Sequence, residues 1–387
     1  MLDTRVVELL PGEKRVVART PDGSTRTIEY DQLVLGIGGV SIRPKMEGSD
    51  LPGVFFMRWI SDTLAFDAHL REKKPRRAIL VGGGYIGLEM AEALTLRGVA
   101  VTIVEFLDSI LTTVDRPFRD LVKEKLEEKG VKIVTDTAIR SISEERGHLV
   151  VHGDPGFTAE TDTVLVAVGA APNTELARMA GIATGIKGAI RVDSRLRTNF
   201  SDIYAGGDCA ETFHHLTGKY TYIALGTIGH KHGRIIGENV CGYATEYQGT
   251  LGTQSIKLFD MVVARTGLND KESVENGFDP LTVETEAWDH KIYYPPAYST
   301  RIRITADRKS RRLLGGQIVG NINAEISKRI DILAGAIYQN MTVDDFNQWD
   351  LSYTPPLSSP WDPVQMAVQK WESVLAKERQ EVKDDQG

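Results

Sequence analysis

The segment RAILVGGGYIGLEMAEALTLRGVAVTIVEFLD, from Arg77 to Asp108, decides the fold of the chain around it. Its first apolar run, Ala78 to Val81, is short and uninterrupted, which is typical of a buried parallel strand. Three glycines follow at once, and a helical pattern then continues until Gly98 ends it. A second apolar run, Val99 to Val104, comes next. The segment therefore predicts a strand, a glycine turn, a helix and a second strand of an α/β fold.

The turn has the GxGxxG spacing at Gly82, Gly84 and Gly87. Gly82 permits the tight turn, Gly84 lets the backbone approach a pyrophosphate, and Gly87 lets the helix pack closely on the strand. Tyr85 and Ile86 open the helix, whose free N–H groups and positive dipole favour phosphate groups. The pattern therefore predicts a dinucleotide site.

Glu105 follows the second strand, 18 residues after Gly87. A carboxylate at this place can accept hydrogen bonds from a ribose 2′-OH. The next residues, Phe106 to Asp108, include no Arg or Lys that would neutralise a 2′-phosphate, so NADH is expected in preference to NADPH. The alternative is a glycine-rich turn without a ligand, and the position of Glu105 argues against it.

Composition limits the class of protein. With 387 residues, 41% of them hydrophobic and 26% charged, the chain is long enough for two or three globular domains. Its net charge of −7 disfavours a broad nucleic-acid surface, and the basic clusters at 73–77 and 309–312 are interpreted as solvated turns. No apolar segment has the length of about 20 residues that spans a membrane, and residues 1–15 lack a signal-peptide pattern, so a cytoplasmic location is the default.

The two cysteines, Cys209 and Cys241, provide neither a disulfide scaffold nor a CxxC metal site, so no metal is expected. Residues 1–29 read as a β-meander around two turns, and Leu33 to Leu35 as a buried strand that leads into a glycine-rich segment. Residues 58–72 are predicted to form a short helix.

Beyond Asp108 the pattern predicts a helix that ends at Gly130 and further strands up to Gly169. Ile203 to Ala205 is predicted as a strand, and Ile223 to Gly242 as a long helix with small residues at its start. From about Gly249 the chain becomes rich in strands and then in helices, which indicates a separate α+β domain. The charged tail after Lys370 is expected to fray.

Several separated motifs resemble one family, the flavin-dependent pyridine nucleotide-disulfide oxidoreductases. The likeness extends over nearly all of residues 1–370 and is greatest to the branch that contains coenzyme A-disulfide reductases, NADH oxidases and persulfide reductases. The motifs, in chain order, are YDQLVLGIGG, GGGYIGLE, AVGAAPNTELA, TNFSDIYAGGDCAE, TYIALGTIGHKHGR, GTLGTQSIKLFD, IYYPPA and LSYTPPLSSPWDPV.

The resemblance implies an α/β fold of two nested, three-layer dinucleotide-binding domains, the FAD one incomplete, followed by an α+β dimerisation domain. The implied boundaries are a partial FAD domain at 1–75, an NAD(P)H domain at 76–165, the second FAD segment at 166–245, the dimerisation domain at 246–370 and a charged tail at 371–387.

The resemblance also implies roles for individual residues. Asp208 would bind the ribityl or phosphate part of FAD beside Gly206 and Gly207, and the helix start at Leu225 to Thr227 would face the pyrimidine edge of the flavin. Further cofactor contacts are implied for four residues, namely Gly38, Gly169, Tyr85 over the flavin face and Glu89 beside the nicotinamide. The simpler alternatives are that Asp208 caps its turn and that Tyr85 packs on its helix.

Tyr353 and Tyr294, or its neighbour Tyr293, match tyrosines that the family brings to the active site of the partner subunit in a homodimer. Each could equally be an ordinary interface aromatic residue. His230 stands where a substrate contact is conceivable, although a lone helical histidine is more often a polar neighbour.

The sequence departs from the family in two respects. The family begins with a first GxGxxG unit and a redox-active cysteine, which this sequence lacks, so a fragment or a misplaced start codon is expected. Cys209 is expected to be a small buried core residue. Trp361 stands where the coenzyme A-using relatives tend to carry a lysine, which makes coenzyme A disulfide a less expected substrate.

The sequence as a whole predicts an FAD enzyme that passes hydride from NADH to flavin and then to a disulfide, a persulfide or dioxygen. Two alternatives remain open at this point. One is an NADH-binding protein without turnover, and the other is a flavin reductase of a small electron carrier.

Overall fold

The computed structural model describes residues 1–384. It divides into two compact units, each made from two separate segments of chain. The first unit contains residues 1–42 and 170–250, and the second contains residues 43–169 and the chain from Leu251 onward. One unit thus interrupts the other in sequence, as expected for nested domains.

The first half of the chain is rich in short strands. Residues 1–42 form β1 (Arg5–Leu10), β2 (Arg15–Arg19), β3 (Thr25–Glu29), β4 (Leu33–Leu35) and β5 (Gly39–Ser41). Residues 43–169 form β6 (Val54–Phe56), α1 (Ile60–Lys73), β7 (Arg77–Val81), α2 (Tyr85–Leu96), β8 (Ala100–Val104), α3 (Arg116–Glu128), β9 (Lys132–Val134), β10 (Ala138–Glu145), β11 (His148–Asp154), β12 (Phe157–Thr161) and β13 (Thr163–Val166).

The second half first completes one unit and then the other. Residues 170–250 form β14 (Ala170–Pro172), α4 (Glu175–Met179), β15 (Ile203–Ala205), β16 (Thr212–His214), β17 (Lys219–Thr221) and α5 (Gly226–Val240). The chain from Leu251 forms β18 (Gln254–Leu258), β19 (Met261–Gly267), α6 (Asp270–Glu275), β20 (Pro280–Trp288), β21 (Ser299–Asp307), β22 (Leu313–Asn321), α7 (Ile326–Tyr338), α8 (Val343–Asn347) and α9 (Pro363–Asp384).

The second unit is built on a parallel sheet in the order β6-β13-β7-β8-β9. Its strand β7 is buried on both faces, which explains the uninterrupted apolar run in the sequence. Leu80 packs in one cluster with Leu88 and Phe118 of the helices. Ile79 packs on the other side with Val151 of the antiparallel sheet β10-β11-β12. The predicted three-layer α/β arrangement is therefore confirmed.

The C-terminal segment contains an antiparallel sheet in the order β18-β19-β22-β21-β20. Ile256, Val263 and Val319 of this sheet share the hydrophobic cluster of α2 and α3. The strand β20 has the sequence PLTVETEAW, whose buried residues alternate with less buried ones, and Leu281 and Val283 face the core.

The prediction that the tail after Lys370 frays is wrong for the part that the structure describes. Residues 371–384 are the second half of α9. Trp371 is fully buried and its indole N–H donates to the carbonyl of Leu281 at 2.7 Å. Arg311, interpreted as a solvated turn residue, is half-buried and donates to Glu372 at 2.7 Å. Burial of one large aromatic residue and this ion pair therefore hold a segment whose composition is mostly charged.

The first unit contains the predicted β-meander, β1-β2-β3. Its strand β15 pairs in parallel with β4, so that Ile203 lies opposite Leu33 and Ala205 opposite Leu35. The prediction that β4 is buried throughout is only partly right, because Leu35 is buried but the side chain of Val34 is 47% exposed. Successive side chains of a strand point to opposite faces of the sheet, so here the face of Leu35 is covered and the face of Val34 is exposed to solvent.

Candidate functional site

The glycine turn between β7 and α2 is shaped by close backbone contacts. Gly82 has a φ of +110°, and a Cβ atom there would lie 2.6 Å from the carbonyl oxygen of Ala167. A Cβ on Gly87 would lie 2.0 Å from the carbonyl oxygen of Gly82. Gly84 is exposed and begins the helix, and no atom lies within 4 Å of where its Cβ would be. The open side of the turn therefore has room for a diphosphate at a helix N-terminus.

Glu105 is held against this turn by two backbone amides. One carboxylate oxygen accepts the N–H of Gly83 at 2.6 Å, and the other accepts the N–H of Leu107 at 2.8 Å. Gly83 was missed from sequence, and a Cβ there would lie 2.5 Å from Cγ2 of Ile110. The signal for it was the third consecutive glycine. The carboxylate is thus positioned before any ribose arrives.

Two residues on α2 were predicted for the nicotinamide end of the site. Tyr85 is half-buried, its hydroxyl accepts from Oγ1 of Thr113 at 3.2 Å, and burial raises the pKa of its phenol. Glu89 lies one turn further along. It is exposed, but partial desolvation, and to a smaller extent Glu92, raises the pKa of its carboxyl. Ile86 is half-buried beside Tyr85.

A loop between β8 and α3, residues 109–115, ties the glycine turn to the C-terminal sheet within the second unit. The N–H of Leu111 donates to the carbonyl of Gly83 at 2.8 Å. The buried guanidinium of Arg265 donates to the carbonyl of Thr113. Asp115 accepts from Arg303 at 3.0 Å. Sequence reasoning missed Thr113 and Arg265, because nothing local marks residues that meet across 152 positions.

The turn that follows β15, Gly206 to Cys209, is the candidate flavin turn. Gly207 has a φ of +72°, and a Cβ on Gly206 would lie 2.7 Å from Cδ1 of Ile236 in α5. The carbonyl of Asp208 accepts the hydroxyl of Tyr222 at 3.0 Å. The side chain of Asp208 is half-buried. The turn therefore packs closely against α5 at Gly206 and is also held by the hydrogen bond from Tyr222.

His232 also contacts this turn and was missed from sequence. It is fully buried, and its Nδ1 accepts the N–H of Gly207 at 3.2 Å. Its Nε2 lies 3.4 Å from Oγ1 of Thr212, and burial lowers the pKa of its ring to about 4. The sequence analysis considered His230, which is exposed. The sequence did contain a sign of its burial, because His232 lies at helical spacing from Ile228 and Ile236 on the buried face of α5.

The remaining predicted flavin contacts lie at element ends. Leu225 precedes α5, Thr227 is exposed in its first turn, and the first amides of any helix lack intrahelical acceptors. Gly38, with a φ of +65°, precedes β5 in the first unit. Gly169, with a φ of +120°, is exposed after β13 in the second unit. Within the first unit, the close-packed Gly206, the positive φ of Gly207 and an open helix N-terminus fit the phosphate and ring of FAD.

The two cysteines have different environments. Cys209 is fully buried, and its single thiol proton is shared between the carbonyls of Leu35 and Gly206, each 3.3 Å from the sulfur. Burial raises the pKa of this thiol. Cys241 is exposed at the end of α5. Cys209 is thus a core residue. Because its pKa is raised, its thiol is a poor nucleophile at neutral pH.

The structure brings the two tyrosine segments of the C-terminal domain together. Tyr294 and Tyr353 are 45% and 46% exposed. Their segments are joined where the N–H of Lys291 donates to the carbonyl of Pro355 at 3.1 Å. Tyr293 packs against Tyr294 with ring centroids 5.2 Å apart. Trp361, at the predicted substrate end, is 52% exposed. These aromatic side chains are therefore exposed on the surface of this domain.

A parallel-sheet unit with a dinucleotide turn, a second glycine turn under a helix N-terminus and an antiparallel C-terminal sheet together define a two-nucleotide flavoprotein. The matches to family models agree with this class. Residues 1–233 match the pyridine nucleotide-disulphide oxidoreductases, and residues 253–363 match the dimerisation domain of the same family. The chain belongs to the pyridine nucleotide-disulphide oxidoreductases and is an FAD-dependent NAD(P)H oxidoreductase.

Individual relatives share most of the chain. The NAD(P)H sulfur oxidoreductase (CoA-dependent) of Pyrococcus furiosus is 35% identical over 364 residues, which are 94% of this chain and 80% of that protein. The structure of reduced Bacillus anthracis CoADR-RHD has a TM-score of 0.93 at 33% identity and covers 97% of this chain and 67% of that one. An NAD-dependent persulfide reductase from A. fulgidus has a TM-score of 0.92 at 35% identity, with 97% and 68% covered.

Across residues 1–384, none of the helices is both long and apolar enough to cross a lipid bilayer.

Proposed function

We propose that this protein oxidises NADH, binds FAD at the Gly206–Cys209 turn and passes the electrons to a disulfide, a persulfide or dioxygen. The observation that carries the proposal is the pair of amide hydrogen bonds that fix Glu105 against the glycine turn. A carboxylate oriented in this way presents its remaining lone pairs to a ribose without rearrangement, which favours binding through preorganisation.

The preference for NADH is supported by charge. Glu105 is an anion at the place where NADPH carries its 2′-phosphate, and like charges repel. Arg116, a cation further along the chain, is paired with Asp108 at 3.1 Å. Its charge is therefore partly neutralised by a local carboxylate.

The cofactor supplies the redox chemistry, since bound FAD accepts a hydride and can pass electrons on singly or in pairs. The residues of this chain bind and orient the reactants. The N-terminus of α5 places partial positive charge at Leu225 to Thr227, where it would stabilise negative charge on reduced flavin. We assign Tyr85 and Glu89 to the nicotinamide end, as the family pattern implies.

The acceptor is proposed from the relatives and from Trp361. The relatives named above include an NAD(P)H sulfur oxidoreductase (CoA-dependent) and an NAD-dependent persulfide reductase, which favours a sulfur acceptor. Trp361 offers no cation for a coenzyme A phosphate, so a small disulfide or persulfide is favoured over coenzyme A disulfide. Dioxygen is the competing acceptor. The exposed tyrosines Tyr294 and Tyr353 suit a homodimer in which each subunit completes the site of the other, since Tyr is enriched at interfaces.

The predicted domain boundaries are part of the same proposal: FAD segments at 1–75 and 166–245, an NAD(P)H domain at 76–165, and a dimerisation domain at 246–370. A cytoplasmic location is proposed because the sequence offers no pair of cysteines suited to a disulfide scaffold, which is the commoner pattern in reducing compartments.

The proposal is tested by anaerobic titration of the FAD-loaded protein with NADH. The visible flavin absorbance should bleach in a saturable way and return on addition of a disulfide or polysulfide. Return only with air would identify dioxygen as the acceptor. Glu105→Ala should weaken the titration, and Glu124→Ala, which changes an exposed residue of α3, should not. Saturable NADH binding without bleaching would instead indicate a binding protein without turnover.

A further inference from the structure

We propose that His232 is a positioning residue for FAD, because its neutral ring holds the amide of Gly207 and thereby the shape of the flavin turn. This inference rests on the proposed binding of FAD at the Gly206–Cys209 turn. His232 would act indirectly: it would hold the Gly206–Cys209 turn in the shape that binds FAD.

The tautomer of His232 follows from its partners. Because Nδ1 accepts the N–H of Gly207 at 3.2 Å, the ring proton resides on Nε2, which lies 3.4 Å from Oγ1 of Thr212. The ring also packs edge-on against Tyr247, with centroids 4.7 Å apart. The ring is therefore held on two edges and one side, and it has one orientation in which it can accept from the turn.

The direction of the Gly207 amide depends on this acceptor. Gly207 has a φ of +72°, a conformation that a glycine can leave at little cost, so the residue alone does not fix the turn. Two other contacts hold carbonyls of the turn: Tyr222 holds the carbonyl of Asp208, and the thiol of Cys209 holds the carbonyl of Gly206, which belongs to the same peptide group as the Gly207 N–H. Loss of His232 should therefore leave this peptide group held only at its carbonyl, by a weak thiol donor.

The packing leaves no simple replacement for the ring. A Cβ on Gly206 would lie 3.0 Å from the Cβ of His232 and 2.7 Å from Ile236. The helix and the turn are thus in contact, and an apolar side chain at position 232 would bury the Gly207 amide without an acceptor. An unsatisfied buried donor is costly, so such a turn should rearrange rather than keep its shape.

Three substitutions separate the acceptor from the bulk of the ring. His232→Asn keeps an acceptor near the position of Nδ1, His232→Gln places its polar group near Nε2, and His232→Leu keeps volume alone. FAD affinity of the full chain, measured by quenching of flavin fluorescence, should fall about 5- to 150-fold in the Leu and Gln variants. It should stay within about threefold in the Asn variant, as in Arg234→Gln, which changes an exposed residue of the same helix.

Thermal unfolding of each variant without flavin separates a general loss of stability from a specific effect. The inference is supported if the Asn variant binds FAD well while being no more stable than the Gln variant. It is overturned if His232→Leu binds FAD like the parent protein, or if affinity simply follows the unfolding temperature in all three. If the parent protein takes up no FAD at all, the proposed function itself fails, and that result is distinct from the other two.

Discussion

Glu105→Gln is the most direct test of the dinucleotide site. The carboxylate accepts two N–H donors, from Gly83 at 2.6 Å and from Leu107 at 2.8 Å. A glutamine has one oxygen, so one of the two amides would face an NH2 group instead of an acceptor. A hydrogen bond to a charged group contributes about 1.5–3 kcal/mol, and the lower end applies because Glu105 is half-buried.

Because the two amides orient this side chain for the ribose, a loss of about 1.5 kcal/mol of that orientation corresponds to roughly a tenfold weaker affinity for NADH. Affinity would be measured by isothermal titration calorimetry, and unfolding by denaturant in the absence of nucleotide. NADPH should be discriminated against less strongly in the variant, because the repelling charge is gone. The reasoning would be refuted if Glu105→Gln bound NADH within twofold of the parent while Glu124→Gln, the exposed control, behaved in the same way.

Three further predictions concern the turn, pH and the tail. Gly87→Ala should abolish measurable NADH binding and lower the unfolding temperature, because its Cβ would lie 2.0 Å from the carbonyl oxygen of Gly82; an unchanged titration would contradict this. His232 has a pKa of about 4 when folded against 6.5 when exposed, so the unfolded chain binds more protons between these values and stability is lost as pH falls through them. Urea unfolding should show a loss of about 2 kcal/mol from pH 7 to pH 5 that is absent in His232→Asn, and an equal loss in both proteins would count against it. Trp371→Ala should destabilise the protein by about 3–5 kcal/mol, while Trp288→Ala, at a side chain 46% exposed, should cost about 1 kcal/mol or less. Similar denaturation midpoints for the two tryptophan variants would show that α9 is not held by the buried indole.

The parts of the fold that could be predicted share one property, namely that their cause lies within a few residues. The apolar run of β7, the glycine turn and the helix α2 follow from contiguous sequence, and the structure confirms them. The partial exposure of β4 could not be read in this way. Whether Val34 is buried depends on what packs against its face of the sheet, and the sequence of β4 is equally apolar in either case.

The same contrast holds for the site. The glycines of the first turn and Glu105 are recognisable by their spacing, and those of the flavin turn by the family resemblance, although their ligand roles remain proposals. His232 lies 25 residues from the amide that it holds, and Arg265 lies 152 residues from the carbonyl that it binds. No local pattern marks such pairs, since any polar residue on a buried helix face or strand can find its partner only after the chain has folded.

The sequence by itself determined the α/β class and the dinucleotide turn, because backbone geometry at glycine and the periodicity of apolar residues are local properties. The family was indicated by the resemblance of several separated motifs. Tertiary structure alone decided that the charged tail continues as α9, that Thr113 bonds to Tyr85 and that His232 is buried and neutral. Each of these depends on segments that are distant in the sequence. The carbonyl of Leu281 accepts the indole N–H of Trp371, and the guanidinium of Arg265 binds the carbonyl of Thr113. Burial of His232 between α5 and the flavin turn makes the charged form of its ring unfavourable.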